Sequence, residues 1–392
     1  SLETLRGKNA ALPILGDLLM RGTTHHTYQE IRDRLDALKS EIHMGIGRPR
    51  GGVWQAGVLP VSVTSDRKHL PAVLELLGEI LREPTFPEAE FEIVKAERIT
   101  ALERQRHDPT ALTFNALFHR IGSWPKDDPR YVPTIEEAIE GTKGVERDLL
   151  VTLHHDLFGA QSAQMAVVGD FDPEEILSVV EKTFGDWRAP VAYVRIPSPF
   201  REGGTAGEET IRTPDKKMAM IGMMLNFPMT DTDPDYPALV IANHRLGGSA
   251  SSRLLDRLRQ KEGLSYGAFS FFNANPIDPN AILAAGAICA PQNVERAMAA
   301  MREEITKLIA EGLDAQELAE AKESYMLRQQ NLFADDDFVA MALAEALFVD
   351  RTLAFIERLD EQIERLTPKA VHAAIQRHLD PDRILSVKAG DL

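Results

Sequence analysis

The chain has one cysteine among 392 residues, and this scarcity excludes two kinds of site. A single thiol cannot form an internal disulfide or supply a cysteine-based zinc centre. The residue, Cys289, lies in the apolar stretch 281–290, which predicts a buried structural thiol rather than a nucleophile. No apolar run approaches the roughly 18 residues that a membrane-spanning helix needs, so insertion into a membrane is not expected either.

Basic residues are also in short supply. The chain has 44 Lys and Arg residues against 60 Asp and Glu residues, which gives a formal net charge of −16. Because such a surface repels phosphate backbones, we do not expect nucleic-acid binding. Apolar residues at 44% and charged residues at 27% are ordinary values for a soluble globular protein. The length predicts two to three domains, each with its own core.

Several familiar catalytic motifs are missing. No histidine begins a His-Glu-x-x-His or His-x-x-Glu-His sequence, and neither a Gly-x-Ser-x-Gly elbow nor a phosphate-binding Gly-x4-Gly-Lys loop occurs. The sequence His154-His155-Asp156 predicts a helix face and cap rather than a metal site, because adjacent helical residues point in different directions. The glycine-containing sequence 246–252 opens a helix, and it leaves a capping turn and an anion seat as alternatives.

A second glycine-rich segment covers residues 43–52. It leads into a strand predicted over 53–64 and not into a helix, so we interpret it as a connection rather than a nucleotide loop. Arg48 and Arg50 flank a proline and are predicted to face solvent. The alternative is that they contact a partner or an acidic substrate.

What the sequence does contain is an internal repeat, in which separate segments recur in one order at offsets of 221 to 227 residues. The pairs are 86–95 with 313–322, Asp108 with Asp335, Gly22 with Gly248, and two helix-then-strand segments ending at Asp170 and Asp391. Each match is weak alone, but together they predict duplicated domains.

The repeat and the composition predict two α+β domains, residues 1–189 and 210–392, joined by a proline- and glycine-rich linker over 190–209. The second domain has an apolar strand over 217–227 ahead of its first helix. The first domain has no residues for the counterpart of that strand, so we expect it to lack its opening strands. The chain is accordingly interpreted as a fragment of a longer polypeptide.

Residues 246–266 resemble a known family signature. Their sequence, Leu-Gly-Gly-Ser-Ala-Ser-Ser-Arg-Leu-Leu-Asp-Arg-Leu-Arg-Gln-Lys-Glu-Gly-Leu-Ser-Tyr, is similar to that of the C-terminal domain in pitrilysin-type (insulinase family) zinc peptidases. Gly22-Thr23 and Asp108-Pro109 fit the first domain of that family, and the resemblance covers essentially the whole chain. It implies two related domains, each a mixed, mostly antiparallel sheet covered by several long helices. It also implies two such halves that close like a clam shell around an unfolded peptide.

The chain departs from the family at the zinc motif. Active members carry His-x-x-Glu-His just before Gly-Thr, and the ligand and general-base positions are occupied here by Pro13, Gly16 and Asp17. The third ligand, a glutamate, falls near Ala101, with Glu97 and Glu103 close by as alternatives. A catalytic zinc site needs three protein ligands. We therefore expect no cofactor in this chain and no peptide hydrolysis by the chain alone, with zinc carried by a partner half.

Arg259 and Tyr266 match the arginine and tyrosine that active members place across the chamber from the zinc. The resemblance implies that they bind the substrate backbone and steady the scissile carbonyl, a role suited to guanidinium and phenol donors. From the residues alone, Arg259 is equally a positive charge at a helix C-terminus and Tyr266 an ordinary strand residue. Arg253 and Arg257 precede Arg259 on the same predicted helix and need not share its direction.

The leading hypothesis is a catalytically inactive half of such a peptidase. It would complete the chamber and bind peptide substrate for a zinc-bearing homologous half, which is either a separate subunit or an upstream part of the same chain. The alternative is a structural or assembly subunit that reuses the fold, as core proteins of respiratory complexes do. We expect a soluble bacterial protein, with cytoplasm and periplasm both open.

Overall fold

The structure is a computed structural model that describes residues 1–45, 57–202 and 206–392. The described part of the first domain forms the helices α1 (Leu2–Leu5), α2 (Ala11–Leu18), α3 (Tyr28–Ala37), α4 (Leu70–Arg82), α5 (Glu88–Gln105), α6 (Pro109–Gly122), α7 (Ile135–Lys143), α8 (Arg147–Leu157) and α9 (Pro173–Phe184). Its strands are β1 (Glu41–Met44) and β2 (Val61–Thr64).

The second domain continues with longer strands. They are β3 (Gly207–Arg212), β4 (Ala219–Phe227), β5 (Ser265–Ala274), β6 (Ala281–Cys289) and β7 (Leu385–Gly390). The helices are α10 (Tyr236–Asn243), α11 (Arg253–Leu255), α12 (Val294–Glu311), α13 (Ala315–Leu332), α14 (Asp336–Phe348), α15 (Ala354–Arg365) and α16 (Pro368–His378). The α+β class is confirmed.

Helices α13, α14 and α16 begin after the N-cap residues Asp314, Asp335 and Thr367. Each side chain accepts a hydrogen bond from the backbone N–H three residues further on. These bonds satisfy donors that the first turn of a helix leaves free, which is why such residues fix where a helix begins.

The second domain contains a five-stranded sheet of order β3-β7-β4-β6-β5. The central strand β4 pairs antiparallel with both β6 and β7, and β5 and β6 form a hairpin. Only the β3–β7 pair is parallel. The sheet is therefore mixed and mostly antiparallel, as predicted. Every residue of β4 is buried, as expected for a central strand covered on both faces.

The two faces of this sheet pack against different helices. Ile221 and Met223 of β4 belong to the large core shared with the C-terminal helices. Met224 faces the other way, into a smaller core with Leu117 and Ile121 of α6. Helix α6 thus belongs to the predicted first domain by sequence but packs on the sheet of the second domain. The division into two domains stays a prediction.

The first domain differs from the expectation. In its described residues the sheet has two strands, because β1 pairs antiparallel with β2 and with no other strand. The strand predicted over 53–64 is wrong for residues 57–60, which form a turn and irregular structure, and residues 53–56 lie outside the described part. Arg48 and Arg50 also lie outside it. The strand predicted to end at Asp170 is wrong too, because residues 164–169 have no neighbouring strand to pair with.

The linker is held against the second domain by an ion pair. Arg195 donates to both carboxylate oxygens of Asp278, at 2.6 and 2.9 Å, and the backbone N–H of Ser198 donates to the same carboxylate. The last predicted linker residues already lie in β3, which begins at Gly207.

Cys289 is fully buried and unpaired, as predicted, and burial raises the pKa of its thiol to about 11. Across the described ranges, no helix combines the length and apolar character that crossing a bilayer requires.

Candidate functional site

Helix α2 occupies the place of the zinc helix, and its side chains do not suit a metal. Pro13 is partly exposed, Gly16 is buried without a side chain, and Asp17 is exposed. Ile14 and Leu15 between them are fully buried in the first core. The proline is tolerated because the first helical turn has no use for its missing N–H. Only Asp17 of these three positions carries a metal-binding group.

The third-ligand position does not compensate. Ala101 lies on α5 and offers no donor atom. Of the nearby carboxylates, Glu97 accepts a hydrogen bond from Arg21 at 2.7 Å, and Glu103 accepts one from Arg106 at 2.9 Å. Arginines thus already engage both carboxylates. The residues present do not fit a catalytic zinc ion.

Within the described ranges, one cluster brings together three side chains that could ligate a metal ion, and it lies away from α2. Asp233, Asp235 and His378 meet between the start of α10 and the end of α16. Asp235 already accepts hydrogen bonds from His378, at 2.9 Å, and from Arg377. The guanidinium neutralises the carboxylate that a cation would need, so this cluster is a weak metal site at best.

Arg259 and Tyr266 flank a tight helix-to-strand turn. Arg259 lies in the π-helical segment Asp256–Lys261 that continues α11. Gly263 then adopts a left-handed conformation with φ of +61°, which glycine supplies without steric cost. Leu258 and Leu264 are buried on either side of the turn, and the Leu264 N–H donates to the Leu258 carbonyl at 2.7 Å. The core therefore fixes both ends of the turn.

Tyr266 is the extra residue of a β-bulge. Its neighbours Ser265 and Gly267 pair with Cys289 and Ile288, and Tyr266 pairs with neither. Its side chain is 60% exposed. A bulge interrupts the alternation of a strand and redirects a side chain, which is why bulges are common beside functional sites.

Three arginines on this helix are used differently. Arg253 donates to Glu317 at 2.8 and 2.5 Å, and Arg257 makes ion pairs with Glu303 and Glu304 at 2.5 and 3.1 Å. Arg259 is exposed and, like Tyr266, makes no side-chain hydrogen bond or ion pair with any described residue. The helix thus uses two arginines for structure and leaves one available.

The paired arginines also shift the titration of their partners. Burial raises the pKa of the Glu317 carboxyl, but the hydrogen bonds and charge of Arg253 outweigh that effect and hold the pKa at about 2. This carboxylate stays charged at any physiological pH and anchors the helix that carries Arg259.

The glycine-containing segment before this helix is explained by packing. A side chain at Gly247 would place its first carbon 2.3 Å from the Ser270 nitrogen of β5. Ser252 is fully buried at the start of α11, and its hydroxyl oxygen is enclosed. The π-helical turn His244–Gly248 therefore packs so closely on β5 that it explains the glycine at position 247. An anion-binding role is not needed to explain this residue.

Sequence reasoning did not find a cleft of about 440 Å³, which lies between α4, α8 and the end of the first domain. Its lining includes Arg82, Arg147, His154 and Trp187. His154 is bonded to the Leu81 carbonyl at 2.8 Å, so it has a structural partner and fits the predicted helix-face role. No sequence signal could reveal this cleft, because its walls come from distant segments.

Fold and site together define a chain built like a metallopeptidase but without a set of zinc ligands on the corresponding helix. The sequence profile described as "Peptidase M16 inactive domain" matches residues 144–325. Residues 144–325 therefore match the peptidase M16 inactive-domain family, which confirms the resemblance.

The curated relatives include proteins named as inactive or non-peptidase homologues and proteins named as zinc proteases. The chain is similar to "Probable inactive metalloprotease YmfF" of Bacillus subtilis, with 25% identity over 50% of this chain and 46% of that protein. An "Uncharacterized zinc protease" of Streptomyces coelicolor is 21% identical over 80% of this chain and 66% of its own length. The "Non-peptidase homolog YmxG" of Helicobacter pylori is 22% identical over 82% and 72%. The chain thus spans about half to two thirds of the first two relatives.

A solved structure supports the fold. The peptidase M16 inactive domain from Pseudomonas fluorescens superimposes with a TM-score of 0.81 at 19% identity, over 98% of this chain and 88% of that one. At this identity the similarity establishes the fold and nothing further.

Proposed function

We propose that the chain is a non-catalytic half of an M16-type peptidase, which completes a closed chamber and binds peptide for a zinc-bearing homologous half. The observation that carries the proposal is that Arg259 is exposed and has no ion-pair partner among the described residues, whereas two other arginines of the same helix are paired. The names of the relatives, two of which are called inactive or non-peptidase, support a non-catalytic role.

The two side chains suit an extended peptide. The Arg259 guanidinium has five donors in a fixed plane and stays charged, so it can bind backbone carbonyl oxygens. The Tyr266 hydroxyl offers one more donor, suited to a carbonyl oxygen that gains negative charge during hydrolysis. Both lie on a rigid turn, which lowers the entropy cost of binding.

The experiment reconstitutes the chain with a zinc-bearing homologous half and measures peptide hydrolysis. Tyr266→Phe is expected to lower kcat by about tenfold or more, since loss of one oxyanion donor has an effect of at least that size. Arg259→Ala is expected to raise KM. Tyr193→Phe and Arg296→Ala, which change exposed residues elsewhere, serve as matched controls and should leave turnover unchanged.

Two outcomes contradict the proposal. Turnover within about twofold of wild type for both site variants, with assembly intact, would remove substrate binding from this chain. Zinc-dependent peptidase activity in the purified chain alone would show that it is not a non-catalytic half. Recovery of the chain in a membrane complex, without any zinc peptidase, would favour the assembly-subunit alternative.

A further inference from the structure

The candidate site lies at one end of the second sheet, and a row of aligned residues marks that end. The row crosses β3, β7, β4, β6 and β5 at Arg212, Gly390, Ala219, Cys289 and Ser265. Tyr266 directly follows this row, and Arg259 lies in the segment that leads into β5. The connection over 213–218 joins the end of β3 to the start of β4. The connection and the candidate site therefore share one end of the sheet, the Tyr266 end.

The connection passes close to Tyr266. Neighbouring strands lie about 4.8 Å apart, so β4 and β5, which have β6 between them, are about 10 Å apart. Lys216, Lys217 and Met218 immediately precede β4. An extended peptide advances about 3.3 Å per residue, so a peptide bound at Tyr266 can reach these side chains within about three residues.

The Tyr266 end carries an excess of positive charge. Four exposed cations lie there without a side-chain hydrogen bond or ion pair to any described residue, namely Arg212, Lys216, Lys217 and Arg259. Two exposed carboxylates accompany them, Asp215 in the connection and Asp391 directly after β7. The charges of this end are therefore mainly positive, although the net charge of the chain is −16.

Other carboxylates near Arg259 do not cancel this excess. Glu262 forms an ion pair with Arg257 at 2.8 Å, and Asp256 forms one with Lys261 at 2.7 Å. Each of these carboxylates is already matched by a cation, so the four cations of the Tyr266 end remain available to a ligand.

Large apolar side chains adjoin the charges. Met218 is 56% exposed beside the lysines, and Tyr266 is 60% exposed. A peptide with both acidic and apolar side chains can use the two kinds of group together. Polyphosphate or nucleic acid would gain nothing from the apolar side chains and would be repelled by the rest of the chain.

We propose that the Tyr266 end of the sheet selects acidic peptides, with Lys216 and Lys217 as the residues that determine this specificity. The proposal rests on the proposed function, and it names the substrate class of the same site. Carboxylates that flank the peptide residue at Tyr266 would bind the two ammonium groups. Because these groups are exposed to water, each contact is modest and salt weakens it.

The test measures how two end-blocked, fluorescent peptides bind the purified chain, by anisotropy. One peptide carries glutamates on both sides of a central phenylalanine, and the other has glutamines in their place. The glutamate peptide should bind about fivefold more tightly at low salt, and high salt should remove most of this preference. Lys216→Gln combined with Lys217→Gln should lower the preference to about twofold or less, with the affinity for the glutamine peptide unchanged. Arginine at both positions should restore it.

A matched control removes two exposed cations from other elements of the second domain, Arg358 of α15 and Lys369 of α16. Arg358→Gln combined with Lys369→Gln changes the net charge equally and should keep the full preference for glutamate. An equal loss of preference in both double variants would show an effect of net charge alone and would overturn the proposal. Competition by inorganic tripolyphosphate as strong as that of the glutamate peptide would show a general anion site and would also overturn it.

The two peptides distinguish this proposal from the proposed function. The glutamine peptide reports on binding by Arg259 and Tyr266. If it binds, loses affinity in Arg259→Ala and matches the glutamate peptide in affinity, the proposed function stands and the acidic preference is wrong. If neither peptide binds, both proposals are wrong. Lysine-dependent binding of the glutamate peptide that is unchanged in Arg259→Ala would separate the lysines from the candidate site and overturn the proposal.

Discussion

Arg257 and Arg259 lie two residues apart on one helix, and the molecule uses them in opposite ways. Hydrogen bonds from Arg257 to Glu262 and Glu303 raise the pKa of its guanidinium and fix the helix on α12. Arg259 has no such partner among the described residues, in a chain with 60 carboxylates available. Its exposed guanidinium is therefore available to bind a group from outside the chain, and that binding role stays a prediction.

A glycine near this helix carries a testable structural role. In Gly247→Ala, the added carbon would lie 2.3 Å from the Ser270 nitrogen and 2.6 Å from the Phe269 carbonyl carbon. Both are backbone atoms and cannot rotate away, so the helix end must move off β5. We expect a loss of unfolding free energy of about 2–4 kcal/mol, measured by chemical denaturation.

Gly267→Ala is the matched control for Gly247→Ala. Gly267 lies on β5, the strand on which Gly247 packs, and a carbon added there meets no atom within 4 Å. The Gly267→Ala variant should unfold within about 0.5 kcal/mol of wild type. Similar losses in the two variants would show that the close approach of Gly247 to Ser270 does not explain the loss in Gly247→Ala.

At the scale of elements, local signals were enough to predict the second domain. The hairpin β5–β6, the helix caps and the apolar strand β4 each follow from a short stretch of sequence. The position of α6 could not be predicted, because helix α6 packs on strands that follow it by about a hundred residues. Residues 164–169 show the converse. Their apolar sequence predicts a strand, but a strand also needs a neighbour, and the described residues provide none.

The candidate site, too, could be predicted from the sequence only in part. The sequence match picked out Arg259 and Tyr266, and their exposure agrees with a binding role that stays a prediction. Arg253 and Arg257 make ion pairs, whereas Arg259 makes none with the described residues. This difference could not be predicted, since the carboxylates come from α12 and α13. The bulge that redirects Tyr266 depends on pairing with β6 and has no signal in the strand itself.

The difference in burial between α6 and α14 yields a prediction for one leucine on each helix. Leu117 of α6 is fully buried against the second sheet, whereas Leu347 of α14 is 52% exposed. Leu117→Ala should therefore lower the free energy of unfolding by about 3 kcal/mol, because it leaves a cavity. Leu347→Ala should change the free energy of unfolding by less than about 0.5 kcal/mol. An equal loss of unfolding free energy in both variants, measured by chemical denaturation, would contradict the buried position of α6 and the exposed position of α14.

At the scale of the whole molecule, the negative charge does not by itself provide a catalytic zinc site. The net charge of −16 would favour cations in general, but a catalytic zinc ion needs three convergent ligands and not merely an acidic surface. Of the three motif positions on α2, only Asp17 has a suitable side chain, and arginines engage the nearest carboxylates of α5. Helix α2 is thus held in the first core by buried apolar side chains, and its motif positions do not supply a set of zinc ligands.

The last prediction follows from this packing. The purified chain, equilibrated with zinc and then separated from free metal, should retain well below one zinc ion per chain, and a chelator should leave its Tm unchanged. His378→Ala controls for weak binding at Asp233, Asp235 and His378, and should remove any residual metal. Stoichiometric zinc that survives His378→Ala but is lost in Asp17→Asn would place a metal site on α2 and would overturn the assignment of this half as non-catalytic.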